Sequence, residues 1–238
     1  MKPRGKEGRL KSYLVAGSKP WNRRVFEEVI RKFPGRWEFV SSPEELTLDR
    51  VRKIRPRYIF FLHWSWKVPG QIVARHECVC FHMTDVPYGR GGSPLQNLIL
   101  RGVRHTKLTA LRMTAAFDAG PVYAKEDLCL GGGAEEIYIR QTCLAAEMIR
   151  WIIREEPAPR EQGKEGTVFR RRRPEESEIG KARSLGSLFD FIRMLDANTY
   201  PRAFLRHRGF RYEFNRAAFC DGQIKADVTI TPWGGRKP

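Results

Sequence analysis

The sequence predicts an α/β protein built on an open, mostly parallel sheet, with a small α+β extension at its C-terminal end. Three observations carry that prediction. Through the first 156 residues, short apolar runs alternate with segments whose apolar residues recur at helical spacing. The runs are continuously apolar, as in strands covered on both faces. From Pro157 the composition shifts to Pro, Gly, Glu and Arg, and the elements beyond it no longer alternate in the same way.

Taken in order, Tyr13–Gly17 reads as a short buried strand ending in glycine, and Val25, Phe26, Val29, Ile30 and Phe33 mark a helix around 22–33. Trp37–Val40 is the next strand. Ser42-Pro43-Glu44-Glu45 has the form of a helix start, so a capped helix is expected from there to about Ile54. Tyr58–Leu62 is a third strand, a short helix follows near 69–75, and the apolar run 78–82 is a fourth strand. Ser93-Pro94 opens a helix reaching about Arg101, followed by strands at Leu108–Thr114 and Pro121–Lys125. Gly131-Gly132-Gly133 precedes a long helix over about 134–154, with Ile137, Leu144, Met148 and Ile152 on one face. The remainder predicts a helix near 184–196 and short strands within 210–231. The resulting regions are an N-terminal domain over 1–156, a linker over 157–183 and a small helix-plus-strand region over 184–238.

At 238 residues, 41% hydrophobic and 30% charged, the chain has a globular balance and can bury a real core. No apolar run reaches membrane-spanning length. Met1-Lys2-Pro3-Arg4-Gly5-Lys6 leads into no signal-peptide segment, so a cytoplasmic location without a membrane partner is expected. Cys78, Cys80, Cys129, Cys143 and Cys220 form no Cys-x-x-Cys pair and sit in apolar stretches, which reads as buried free thiols and implies no metal. The net charge of +17 would attract nucleic acid, phosphates or acidic lipid. Its one dense run, Arg170–Arg173 behind Lys164, fits a solvated linker, the reading we favour, or a phosphate or RNA patch.

The stretch from Cys80 through His82, Thr84, Pro87 and Arg90-Gly91 to Pro94 takes a buried strand that ends in histidine into a glycine-rich loop and a helix. Sites of open α/β sheets collect at such strand ends, and histidine is the side chain that handles protons near neutrality. His63 ends the preceding strand and by pattern alone is an equal candidate. Downstream lies Phe117-Asp118-Ala119-Gly120-Pro121, a carboxylate in a tight turn between two apolar strands; turn chemistry alone would explain it.

Together these features resemble the 10-formyltetrahydrofolate-dependent formyltransferase family, whose signature is Asn-x-His, a Pro…Arg-Gly loop leading into a helix, and a later Asp-x-Gly. The match runs through His82, Pro87, Arg90-Gly91, Pro94 and Asp118-Ala119-Gly120, and covers roughly 58–125. The resemblance implies a Rossmann-like formyltransferase fold and 10-formyltetrahydrofolate as co-substrate. It places His82 and Asp118 at the catalytic centre, with Cys80 where the family has its asparagine. It also implies that the folate lies between Trp66, Lys67 and Val68 on one side and Met113, Thr114 and Ala115 on the other, and that Thr84, Arg90 and Gly91 meet the acceptor. The departure at Cys80 has a cost: an amide donor to a developing oxyanion contributes about 3 kcal/mol, and a thiol donates weakly. Cys80 as a nucleophile is disfavoured because apolar neighbours raise a thiol's pKa.

Methionyl-tRNA formyltransferases carry a substantial C-terminal domain, for which the region after 157 looks too small. The stretches Gly89–Ile99, Leu108–Met113 and Asp118–Tyr123, with Ile192–Asp196 and Tyr200–Phe204, look closer to sugar-nucleotide N-formyltransferases. The expected acceptor is therefore an amino sugar in nucleotide-activated form, with a methionyl-tRNA formyltransferase-like enzyme or a non-catalytic nucleic-acid-binding relative as the alternatives. A C-terminal sheet edge could serve a homodimer.

Overall fold

The computed structural model describes residues 10–163 and 165–234; the N-terminal stretch Met1–Lys6 and Lys164 lie outside them. Contacts divide the chain into two compact units. The first is built from the residues up to His82, Thr109–Lys125 and Thr142–Gln162. The second is built from Met83–Leu108, Glu126–Gln141 and the residues from Gly163 onward.

The elements follow the predicted alternation: β1 (Ser12–Gly17), α1 (Pro20–Glu28), β2 (Arg36–Val40), α2 (Leu48–Ile54), β3 (Tyr58–Leu62), α3 (Gly70–Arg75), β4 (Cys78–His82), β5 (Arg90–Gly91), α4 (Pro94–Leu100), β6 (His105–Arg112), β7 (Val122–Cys129) and α5 (Ala134–Glu155). After them come β8 (Val168–Phe169), a 3₁₀ turn (Pro174–Ser177), α6 (Leu185–Arg193), β9 (Ala203–His207), β10 (Phe210–Cys220) and β11 (Gln223–Pro232). The main sheet has the order β2-β1-β3-β4-β6-β7. β1 pairs in parallel with β2 and β3, and β3 with β4, while β6 is antiparallel to β4.

In the first unit both faces of the sheet are covered, which is why its strands read as unbroken apolar runs. On one face Leu14, Ala16, Val40, Ile59, Phe61 and Cys78 pack with Val51 and Ile72 of the helices. On the other, Trp37, Tyr58 and Phe81 surround Phe60 with ring centroids 5.5–6.5 Å from it.

Some boundaries differ from the sequence expectation. α2 starts at Leu48, where the Thr47 hydroxyl accepts Arg50 N at 3.2 Å. The Ser42–Glu45 signature is spent on a turn, because the Glu45 carboxylate reaches back to Ser41 N at 2.6 Å and Leu46 is drawn into the core. The helix around 22–33 stops at Glu28 and tightens into a 3₁₀ turn over Ile30–Lys32, which buries Ile30. Cys129, Cys143 and Cys220 are exposed, contrary to the reading of all five cysteines as buried.

In the second unit, the Arg170–Arg173 run is held in place instead of hanging as a solvated linker. β8 pairs in parallel with β5, Asn97 Nδ2 donates to Arg170 O at 3.1 Å, and Arg172 N donates to Ser93 Oγ at 3.0 Å. Gly91 is required there: at φ +97° its missing Cβ would lie 2.5 Å from Phe169 O. β9, β10 and β11 form an antiparallel sheet with an irregularity between Asn215 and Ala218. α6 is anchored by buried Arg193, whose Nε donates to Asp190 at 2.6 Å and whose Nη1 donates to Leu130 O and Gly132 O at 2.7 and 2.8 Å.

Candidate active site

Strand alternation sends Cys78, Cys80 and His82 to the same face of β4. Cys78 belongs to the buried cluster there, and Trp64, Cys80 and Met113 pack against it, with Val68 among its members. β6 runs the other way, placing Thr109 opposite His82 and Arg112 opposite Val79, so the chain leaves β6 at the end of β4 remote from His82. At that end Met113 N donates to Cys78 O and Arg112 N to Pro121 O, each at 2.8 Å. The intervening loop folds back and sets Asp118 Oδ2 3.6 Å from His82 Nδ1. Asp118 adopts φ +52°, a left-handed conformation that aspartate tolerates. Gly120 makes the return possible, since a Cβ there would collide with the Arg112 carbonyl oxygen.

The pair is at ion-pair distance, longer than a hydrogen bond, as is common before a substrate draws such groups together. His82 is 8% exposed and the Asp118 side chain 19%, so one partner is sheltered while the other keeps access to solvent. Cys80 lies beside them. Burial first, and then the Asp118 charge, push its thiol well above the ordinary range. It is a neutral thiol, a weak donor and a poor nucleophile.

The two strand-end histidines, equal by pattern, are chemically distinct here. Burial, with a smaller contribution from the Lys19 charge, pulls His63 down to about 3. Its carbonyl accepts Ser18 Oγ at 2.5 Å, and its ring meets Trp21 edge-on at 6.0 Å. His82 instead faces a carboxylate.

The residues named for the folate divide by exposure. Val68 is buried and Met113 half-buried in the cluster that touches Cys80, while Trp66, Lys67, Thr114 and Ala115 are exposed. Thr84, Arg90 and Gly91 belong to the second unit. There Thr84 is buried with its hydroxyl donating to Gly89 O at 3.3 Å, and Arg90 Nη2 donates to Gly163 O at 3.0 Å. One residue at the site went unnoticed in the sequence. Gln162, inside the stretch read as linker, donates from Nε2 to Asp118 O at 2.9 Å and to Gly120 O at 2.6 Å. A lone glutamine in a Pro/Gly-rich stretch carries no local signal of that role.

Comparison with known proteins bears on this arrangement. Residues 174–231 match the family model for the C-terminal domain of methionyl-tRNA formyltransferase. A methionyl-tRNA formyltransferase from Rickettsia felis is 31% identical over 107 residues, 43% of this chain, and the chain spans about a third (35%) of that relative's length. The structure of a sugar N-formyltransferase from a Shewanella species is 11% identical with a TM-score of 0.59, covering 91% of this chain and 96% of that one, a likeness of fold alone. The structure of a methionyl-tRNA formyltransferase from Clostridium thermocellum is 42% identical with a TM-score of 0.89, covering 94% of this chain and 100% of that one. With that identity running the full length of a relative, and with the histidine and aspartate of the signature brought face to face, this chain belongs to the formyltransferase family.

Proposed function

We propose that the chain transfers a formyl group from 10-formyltetrahydrofolate to the amine of methionyl-tRNA. The observation that carries the reading is the full-length similarity to the Clostridium thermocellum protein, supported by the match of residues 174–231. These findings favour the methionyl-tRNA alternative over the amino-sugar expectation. That expectation rested on the small size of the C-terminal region and on stretches such as Gly89–Ile99 that look closer to sugar-nucleotide enzymes, yet the C-terminal region is the part that matches the methionyl-tRNA formyltransferase model. The charge of +17 suits a polyanionic acceptor better than a small sugar, which needs few basic contacts.

The donor supplies a formyl carbon to be attacked by a neutral amine, so a proton must leave the amine and the folate nitrogen must depart protonated. Asp118, facing Nδ1, orients the imidazole and supports its positive charge, and His82 carries the proton on Nε2. Cys80, kept as a neutral thiol, stays out of covalent chemistry and offers only a weak donor to the developing oxyanion. Val68 belongs to the buried cluster against which Cys80 and Met113 both pack, so the two segments assigned to the folate share a cluster with the strand that carries His82, which is compatible with a planar ring entering there.

The test is acid-precipitable formyl transfer to methionyl-tRNA, read by mass spectrometry of the hydrolysed aminoacyl group, for the wild type and His82→Ala. Formyl-methionine from the wild type and a fall of about 10²–10⁴-fold in the variant are expected. Formylation of amino-sugar nucleotides with none of methionyl-tRNA would overturn the reading.

A further inference from the structure

We propose that Gln162 is a positioning residue for Asp118, an assignment that rests on the formyl-transfer reading above. The loop after β6 begins at the level of Cys78 and has to come back to reach His82, so its course is decided by whatever holds its returning limb. Its two ends are tied by Arg112 N donating to Pro121 O. Within the turn Thr114 Oγ1 donates to Ala116 O at 3.1 Å, and Phe117 is 79% exposed.

Gln162 restrains the turn from outside the loop. Its amide nitrogen has two hydrogens, and the two acceptors it meets are the carbonyls on either side of Ala119, Asp118 O and Gly120 O. The glutamine is itself fixed from below. Arg160 forms an antiparallel bridge with Val122 at the start of β7, with N–O distances of 2.7 and 2.8 Å, which delivers Gln162 to the turn two residues later. A carboxylate whose own backbone carbonyl is clamped keeps its bearing on the His82 ring, and misplacing such a group by about 1 Å can cost about 10²-fold in rate.

The experiment compares Gln162→Ala and Gln162→Glu with the wild type; the second is nearly isosteric and lacks the amide donors. Both variants are expected to lose about 10²-fold in kcat, with KM for donor and acceptor within about twofold of wild type and no loss of thermal unfolding temperature. In an Asp118→Asn background Gln162→Ala is expected to add nothing, because the residue acts only through Asp118. The ¹⁵N signals of the His82 ring should move in Gln162→Ala in the direction they move in Asp118→Asn. Retained kcat, a loss that multiplies with that of Asp118→Asn, or unmoved His82 signals would each overturn the assignment. If the wild type itself transfers no formyl group, the functional reading fails, and the His82 ring signals still decide the role of Gln162.

Discussion

Cys80 and His63 show how much single environments decide. Cys80, which the resemblance sets where the family has asparagine, is held as a neutral thiol by burial and by Asp118. An amide there would restore a strong donor, so Cys80→Asn is expected to raise kcat by at least about tenfold, measured at saturating substrates. A fall would mean that another group already fills the oxyanion site. His63 titrates at about 3 in the fold against an ordinary 6.5. The unfolded chain therefore binds its proton first: the stability tied to neutral His63 is complete above pH 6.5 and is lost as pH falls from 6.5 toward 3. The loss runs at up to about 1.4 kcal/mol per pH unit. His63→Gln is expected to remove that component, seen as a flatter decline of urea-unfolding free energy over the same interval. Strand pattern alone does not separate His63 from His82, and in the sequence only the later Asp118-Ala119-Gly120 and the Arg90-Gly91 loop single out His82; the charges that set the two apart in the fold come from distant segments, Lys19 for one and Asp118 for the other.

At the scale of elements, period and punctuation were reliable guides, and termini were less so. The unbroken runs at Tyr13–Gly17 and Tyr58–Leu62 became central parallel strands because both faces are covered. The helix start at Ser42 slid to Thr47, since the same carboxylate and hydroxyl chemistry also closes a turn, and burial of Leu46 chose between them. The attachment of α6 was not legible at all. It depends on Asp190, which pairs with Arg193 one turn along the same helix and with Arg104, distant in sequence, at 3.0 Å. Asp190→Ala would leave Arg193, 3% exposed, as an uncompensated buried charge, and is expected to cost about 3–5 kcal/mol in chemical denaturation. A loss below about 1 kcal/mol would indicate that the pair is open to water.

For the whole molecule, the charge of +17 and the small C-terminal region point in different directions. Fifty-odd residues at 174–231 suffice for a match to a tRNA enzyme's terminal domain. The Arg170–Arg173 run, tied to the segment around α4, presents Arg171 and Arg173 as exposed cations. Each phosphate contact contributes about 0.7–0.9 to the slope of log affinity against log salt. Replacing both arginines by serine is therefore expected to weaken methionyl-tRNA binding most at low salt and to flatten the salt dependence by about 1.5 in slope. An unchanged slope would place the RNA elsewhere.

Sequence by itself determined the α/β class, the strand order's raw material, and the identity of His82 and Asp118 as a pair worth joining, because apolar periodicity and a spaced signature are local properties of the chain. Only the tertiary structure decided that the loop after β6 doubles back, that Gln162 holds it there, that Cys80 is a neutral neighbour of Asp118, and that the arginine run is fastened down. Each of these depends on a hydrogen bond, a charge or a burial between residues distant along the chain, and such partners have no spacing that a sequence can display.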